Sequence, residues 1–480
     1  MQLLNKTVIL LLSIFAVCFL IYKATNTSIT HDEAITFNRY LSLNPLDIIA
    51  YKRSSTNNHI LNTLFVKVFN KIFGSSEISI RMPNILSGAV YFLCVFLLIR
   101  NLNNCLVLIG FVLMTCNPFL LDFFALARGY GLAMATMLCS IYCYLQYLKS
   151  MNTRWFSGSL FFASLTLFSN FALFNYFFAL LAFHVIILPL LSDDLRKEYS
   201  IKKFFRYNWP IFICLLILTA FLYEPIRRLP SPDRIDFGGT VGFWQDTVMT
   251  LIDTSCYTYS PASAYMKLLL EFLIPLILIA TLLFWAWGLV KKRKQFFSEN
   301  LSLIFVNLIL LLVVLSTVVQ HHLLGTPYLT DRFALFLVPL FMLNVVYLFD
   351  AIVRVVRWKL LPIFIVLFPA VFLFSYTLNE LNVDYYPMWK YDMNDKLVLK
   401  ELERQNKKIE LRITWLFEPS INFYRNTKGL TWLNEQDRES PKPGADYYYL
   451  TEQYLDSVPD CKTKPAIQYE NTKTYLVKYR

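Results

Sequence analysis

Apolar residues along this chain come in long unbroken runs separated by short polar connections, the pattern of helices that cross a bilayer. At about twenty apolar residues per crossing, the runs predict helices near 4–23, 80–100, 104–118, 123–148, 155–171, 173–191, 208–224, 265–290, 301–320, 333–349 and 360–378. The first, "VILLLSIFAVCFLIY", is long enough to span and no small-residue cleavage site follows it, so it reads as a retained helix. Between the first two runs, "HILNTLFVKVFNKIFG" repeats Ile60, Leu64, Val68 and Ile72 at helical spacing and keeps Lys67 and Lys71 off that stripe, which suits a helix lying along the membrane surface. "VGFWQDTVMTLIDT" predicts a second such helix. From Asn379 the pattern changes to a helical "NDKLVLKELERQNKK" and the strand-like "IELRITWLF", "ADYYYLTEQ" and "KTYLVKYR". The expected fold is an all-α polytopic membrane protein over residues 1–378, with its first outer loop at 24–79, followed by a small soluble α/β domain at 379–480.

Composition agrees: 56% of the 480 residues are hydrophobic and only 16% are charged, which excludes an ordinary soluble domain. The net charge of +12 does not point to nucleic acid, because the basic residues flank the apolar runs and form no single stripe. With the N-terminus in the cytoplasm, Arg100, "KSMNTR", "DDLRKEYSIKKFFRYN", "KKRKQ" and "RVVRWK" all fall on the inner side. The C-terminal part and residues 24–79 then lie outside. Most cysteines sit inside apolar runs as small hydrophobes; Cys256 and Cys461 alone occupy polar segments where a disulfide could form.

Candidate chemistry gathers on that outer side. "SITHDEAITFNRY" places Asp32 and Glu33 directly after the first helix, where a carboxylate can act as a general base beside a lipid substrate. Three arginines stand at outer membrane boundaries: Arg81 in "SEISIRMPN", Arg128 one turn into the fourth helix in "DFFALARGYGLA", and Arg332 in "PYLTDRFALFLVP". A charge at that depth is costly unless it is paired, solvated or bound to an anion, and a guanidinium matches phosphate bidentately. The local acids Glu77, Asp122 and Asp331 are alternative partners for Arg81, Arg128 and Arg332 respectively. His59, Tyr130, Tyr328 and Glu271 are further candidate substrate-binding residues. His31, His59, His321 and His322 are candidate ligands for a divalent metal, although their spacing forms no ligand motif.

The stretches "HDEAITF", "SSEISIRMPNILSGAVYFLCVFLLIR", "NPFLLDFFALARGYGLAMA" and "YLTDRFALFLVPLF" resemble the multi-spanning GT-C glycosyltransferases, in the branch of protein O-mannosyltransferases and the lipid A aminoarabinose transferase. The resemblance implies about eleven to thirteen helices with interfacial helices in the first outer loop, and a sugar moved with inversion from a polyprenyl-phosphate donor to an extracytoplasmic glycan, lipid or protein. Carried over by position, it makes Asp32 the base, Glu33 its neighbour, and Arg128 and Arg332 the donor-phosphate ligands. Relatives often have a His-Pro pair where "NNHILN" has His59 without the proline. No cofactor beyond a metal is implied, and the expected location is a bacterial inner membrane. A transporter or flippase is the rival reading, for which Glu271 in "KLLLEFLIPL" is the best intramembrane candidate.

Overall fold

The computed structural model describes residues 2–191, 201–229, 238–256, 261–291, 296, 299–458 and 466–479. Among them nine helices are long and apolar enough to cross a membrane, or ten if a bent pair counts as one span. Each of the eleven expected segments contains a helix, and the helix of the fifth, Thr153–Ser169, has 17 residues, at the short limit for a crossing. The helices that frame the site are α1 (Gln2–Asn26), α2 (His31–Tyr40), α3 (Ile60–Phe73), α4 (Glu77–Ile99), α5 (Asn104–Thr115), α6 (Pro118–Ala125) and α7 (Gly129–Ser150).

Two differences from the expected boundaries shape the site. The third segment does not end at 118: α5 bends by 65° into α6, with Asn117 capping the new helix and Pro118 at its first position. The fourth crossing then starts at Gly129, so Arg128 is not one turn inside a helix. It is the extended N-cap residue of α7, at φ −126° and ψ 145°.

Helix α3 lies where the interfacial helix was expected, and Val68, Ile72 and Phe73 on it are exposed while Asn62 and Thr63 are buried. The later half of its apolar stripe faces outward while Ile60 is buried, and its polar face carries hydrogen bonds into the protein. Residues 243–255 of the second expected interfacial segment are also helical.

The C-terminal part contains the expected helix Asp395–Glu403 and three expected strands, plus one strand and one helix beyond them. Strands β1 (Leu411–Ile413), β2 (Tyr447–Thr451), β3 (Ala466–Tyr469) and β4 (Thr474–Lys478) form a sheet in the order β1-β2-β4-β3. Arg412 pairs with Tyr448 in the parallel β1–β2 ladder, and Tyr449 with Leu476 in the antiparallel β2–β4 ladder. The helix Glu418–Thr427 supplies the crossover between the parallel strands.

This part shares its core with the membrane region. Ile29, Ala34, Ile80 and Ala127 pack in one buried cluster with Leu399, Leu411, Phe417 and Tyr424. The Tyr424 hydroxyl accepts from the Ile29 amide at 2.8 Å and donates to Glu77 at 3.0 Å, and Lys396 Nζ lies 2.8 Å from the same carboxylate. Two buried carboxyls sit at the junction: Asp392 accepts the His31 amide at 2.7 Å, and Asp395 lies beside Ser420 and Tyr449. Burial pushes both up, with repulsion from Asp395 adding to it for Asp392; Asp395 rises to about 8. The folded chain therefore retains protons that an unfolded carboxylate releases above about pH 4, so this contribution to stability is full at low pH and is lost as pH rises from about 4 to 8. Asp395→Asn should flatten the fall in melting temperature between pH 5 and 8 that wild type shows in detergent; parallel curves would contradict this assignment.

Of the two cysteines in polar segments, Cys461 lies outside the described residues and Cys256 is buried. A cavity of about 460 Å³ lined by Asn101, Asn103, Gln146, Lys149, Asp350 and Arg354 lies at the opposite end of α4 from the acidic loop. It is remote from the chemistry described next.

Candidate active site

Helix α2 starts with a capping box: Glu33 Oε2 accepts the Thr30 amide at 3.0 Å while the Thr30 hydroxyl accepts the Glu33 amide. Asp32 and Glu33 are thereby fixed in the first turn. Consecutive helical residues point about 100° apart, and the two carboxylates go to different places.

Glu33 turns inward. Arg81 grips it through Nε at 2.8 Å and Nη2 at 2.6 Å, with both side chains fully buried. The remaining Arg81 donors reach Ala24 O, Thr27 O, Thr27 Oγ1 and Ser28 O, so all five N–H groups are engaged. No donor is left for a phosphate, which removes Arg81 from the expected donor-binding set and makes it an internal tie between α4 and the end of α1. Glu33 Oε1 also accepts the Ala127 amide at 2.6 Å, and Asn62 Nδ2 donates to the Ala127 carbonyl at 2.9 Å. The backbone broken between α6 and α7 thus finds side-chain partners, a condition for irregular chain at membrane depth. Glu33 therefore belongs to the frame, not to the chemistry assigned to it from sequence.

Asp32 faces the other way and keeps 17% of its side chain exposed. Its Oδ2 lies 3.4 Å from Arg128 Nη2 and 3.8 Å from Arg332 Nη2. Asn57 stitches the group together: its Nδ2 donates to the Asp32 carbonyl at 2.9 Å and its Oδ1 accepts from Arg128 Nη1. Arg128 Nε is buried with no hydrogen-bond partner in the structure. Arg332 leaves a single 3-10 turn, Asp331–Ala334, whose first residue has φ +46°, a strained conformation that turns the chain into the site. Its guanidinium lies over Phe333 at 5.2 Å and Trp389 at 5.3 Å.

His59 caps α3 and is buried beside these cations. Burial, with Arg128 and Arg332 adding to it, holds its imidazole well below the usual range, so it is neutral. Nδ1 donates to the Ser169 carbonyl at 3.1 Å, which leaves Nε2 as a buried acceptor without a partner in the structure. Tyr130 packs against the His59 ring at 5.2 Å and lies beside Arg332. The close approach needs Gly129: a Cβ there would meet Ser169 O at 2.0 Å.

The structure thus brings together Asp32, Arg128, Arg332, His59 and Tyr130. Tyr328 instead stacks on His321 at 4.1 Å and is held by backbone bonds to Gly239. Glu271 lies on the helix Pro261–Lys291 near Lys267, which pairs with Asp253. Nor do the histidines converge as a ligand set: His31 Nδ1 meets Leu416 O at 2.6 Å, His321 and His322 neighbour each other, and no metal-ligating group of three forms among the described residues. These positions do not fit the metal site considered from sequence.

The local acids also pair elsewhere. Asp122 forms an ion pair with Lys23, and Glu77 with Lys396. Sequence reasoning missed Asn57, Trp389 and Asp392, although the aromatic run "DYYPMWKY" directly after the last apolar helix was a visible signal for the second.

Residues 59–223 match the family model of dolichyl-phosphate-mannose-protein mannosyltransferases. The solved structure of ArnT from Cupriavidus metallidurans bound to undecaprenyl phosphate is similar over 98% of this chain and 97% of that chain, with TM-score 0.52 and 10% identity. The chain has the GT-C glycosyltransferase fold. The apo form of the same ArnT aligns over 98% of both chains at 8% identity and TM-score 0.42. No curated protein matches by sequence. Within the GT-C fold, the stretch matched by the family model includes His59, Arg81, Arg128 and Tyr130, so it covers both the frame around Glu33 and one wall of the Asp32 group.

Proposed function

We propose that this protein is an inner-membrane glycosyltransferase that moves a sugar from a polyprenyl-phosphate donor to an acceptor outside the cytoplasm, with inversion at the anomeric carbon. The observation that carries the reading is one partly exposed carboxylate held loosely between two arginines at the membrane boundary. The family match and the undecaprenyl phosphate bound to the structural neighbour support a lipid-linked donor.

In this reading Arg128 and Arg332 bind the donor phosphate, and the buried Arg128 Nε supplies a donor that has no other partner. Separations of 3.4 and 3.8 Å to Asp32 exceed a hydrogen-bonded pair, so a phosphate oxygen can replace the carboxylate at either guanidinium. Asp32 takes the proton from the acceptor hydroxyl or amine as that atom bonds to C1 of the sugar. The bond from C1 to the phosphate oxygen breaks on the opposite face, and polyprenyl phosphate leaves with its charge stabilised by the arginines. In this reading the neutral His59 Nε2, buried without a partner in the structure, accepts a hydrogen bond from a substrate hydroxyl.

Arg128→Lys with Arg332→Lys keeps the charge and removes the fork. Binding of undecaprenyl phosphate to purified protein should weaken by about tenfold or more for each lost bidentate contact. Unchanged affinity in the double variant would remove these arginines from the phosphate site.

A further inference from the structure

Next to the first turn of α2 the turn that follows β1 presents an aromatic side chain that packing leaves partly uncovered. Of the described residues beyond Pro387, the exposed large hydrophobic side chains are Leu397, Trp415 and Ile467, and only Trp415 is aromatic. It is 42% exposed and begins the turn Trp415–Phe417 that follows β1. Its ring is nevertheless fixed. The indole N–H donates to the Tyr454 hydroxyl at 3.2 Å, and the His31 ring meets it edge-on at 5.9 Å. The Arg438 guanidinium stands 5.9 Å from the ring centre and is itself held by Glu418 at 3.0 Å. The next carbonyl along the chain, Leu416 O, takes His31 Nδ1, so the shelf is tied to the residue immediately before Asp32.

We propose that Trp415, rimmed by Arg438 and Glu418, is the platform on which the acceptor stacks, and that the acceptor is a saccharide. A pyranose ring offers an apolar C–H face to an indole and a rim of hydroxyls to neighbouring polar groups. An ordered aromatic flanked by a few polar groups is the composition that binds such a ligand with little ordering cost. The Arg438–Glu418 pair leaves the rim without net charge, which suits a neutral polyol better than a phosphorylated headgroup. The His31 ring that meets Trp415 belongs to the residue immediately before the proposed base, which sets the shelf beside the first turn of α2. The proposal rests on the transfer reading of the Asp32 site.

The test uses full-length protein in detergent, a polyprenyl-phosphate sugar, and two acceptor arms: linear tetrasaccharides of glucose, mannose and N-acetylglucosamine, and a Ser/Thr-rich peptide. Transfer should go to a tetrasaccharide. Trp415→Ala should raise its KM about tenfold or more with kcat within twofold and donor affinity unchanged, and Trp415→Tyr should restore most of the loss. Transfer to the peptide alone, or an unchanged KM in Trp415→Ala, would overturn the proposal. Saturation-transfer NMR with the same tetrasaccharides decides the matter without any reaction. Signals from the sugar ring protons that vanish in Trp415→Ala support the platform, and the absence of signals in wild type, or signals unaltered in the variant, refute it. A wild type that binds saccharide and transfers nothing would refute the transfer reading and leave the platform standing.

Discussion

Arg81→Met should be the most damaging single substitution for stability. It leaves the Glu33 carboxylate fully buried without its counter-charge, and takes the Arg81 donors from the carbonyls of Ala24, Thr27 and Ser28. Breaking one half of such a pair costs about 3–5 kcal/mol, several times the effect of a surface ion pair. Glu33→Gln should also destabilise, because the amide cannot accept from Arg81, Thr30 and Ala127 together as the carboxylate does. The double variant Arg81→Met/Glu33→Leu should lose less than the sum of the single losses, since no buried charge remains. Apparent melting temperatures in detergent, followed by tryptophan fluorescence, read all three. Additive losses, or a single variant as stable as wild type, would mean that the pair does not hold this junction together.

The contrast between Glu33 and Asp32 also shows where the sequence stopped being informative. Charges next to apolar runs were legible one residue at a time, because hydrophobic cost makes an isolated arginine at a membrane boundary conspicuous. Their partners were not. Glu77 and Asp122 looked like the natural neighbours of Arg81 and Arg128, yet they bind Lys396 and Lys23, while the arginines reach carboxylates on α2. Pairings that close over tens or hundreds of residues are set by tertiary packing, which local spacing does not encode. The helices themselves were readable to within a few residues, since a span is dictated by length and apolarity alone. The exception was the 65° break before α7, where "NPFLLDFFALARG" is apolar enough to pass for continuous helix. That break is what presents Arg128 in extended chain beside Asp32, so the feature hardest to read was one that builds the site. The core shared between α2, α4 and the C-terminal sheet was equally invisible, because each contributing segment reads as a unit of its own.

Asp32→Asn is the change with the largest expected effect on activity. Its geometry predicts a folded protein: the Asp32 backbone carbonyl keeps its bond from Asn57, the capping box belongs to Thr30 and Glu33, and the carboxylate makes only long contacts to its arginines. What disappears is the proton acceptor, a contribution of about 10²–10⁴ in rate. Removing the negative charge also takes a competitor away from Arg128 and Arg332, so affinity for the phosphate should hold or rise. The decisive measurement follows both quantities in the same purified Asp32→Asn protein: sugar transferred from a labelled polyprenyl-phosphate donor, and equilibrium binding of undecaprenyl phosphate. Transfer reduced by a factor of about a thousand with binding as tight as wild type or tighter is the predicted outcome, and transfer at the wild-type rate would contradict the assignment of Asp32 as the base.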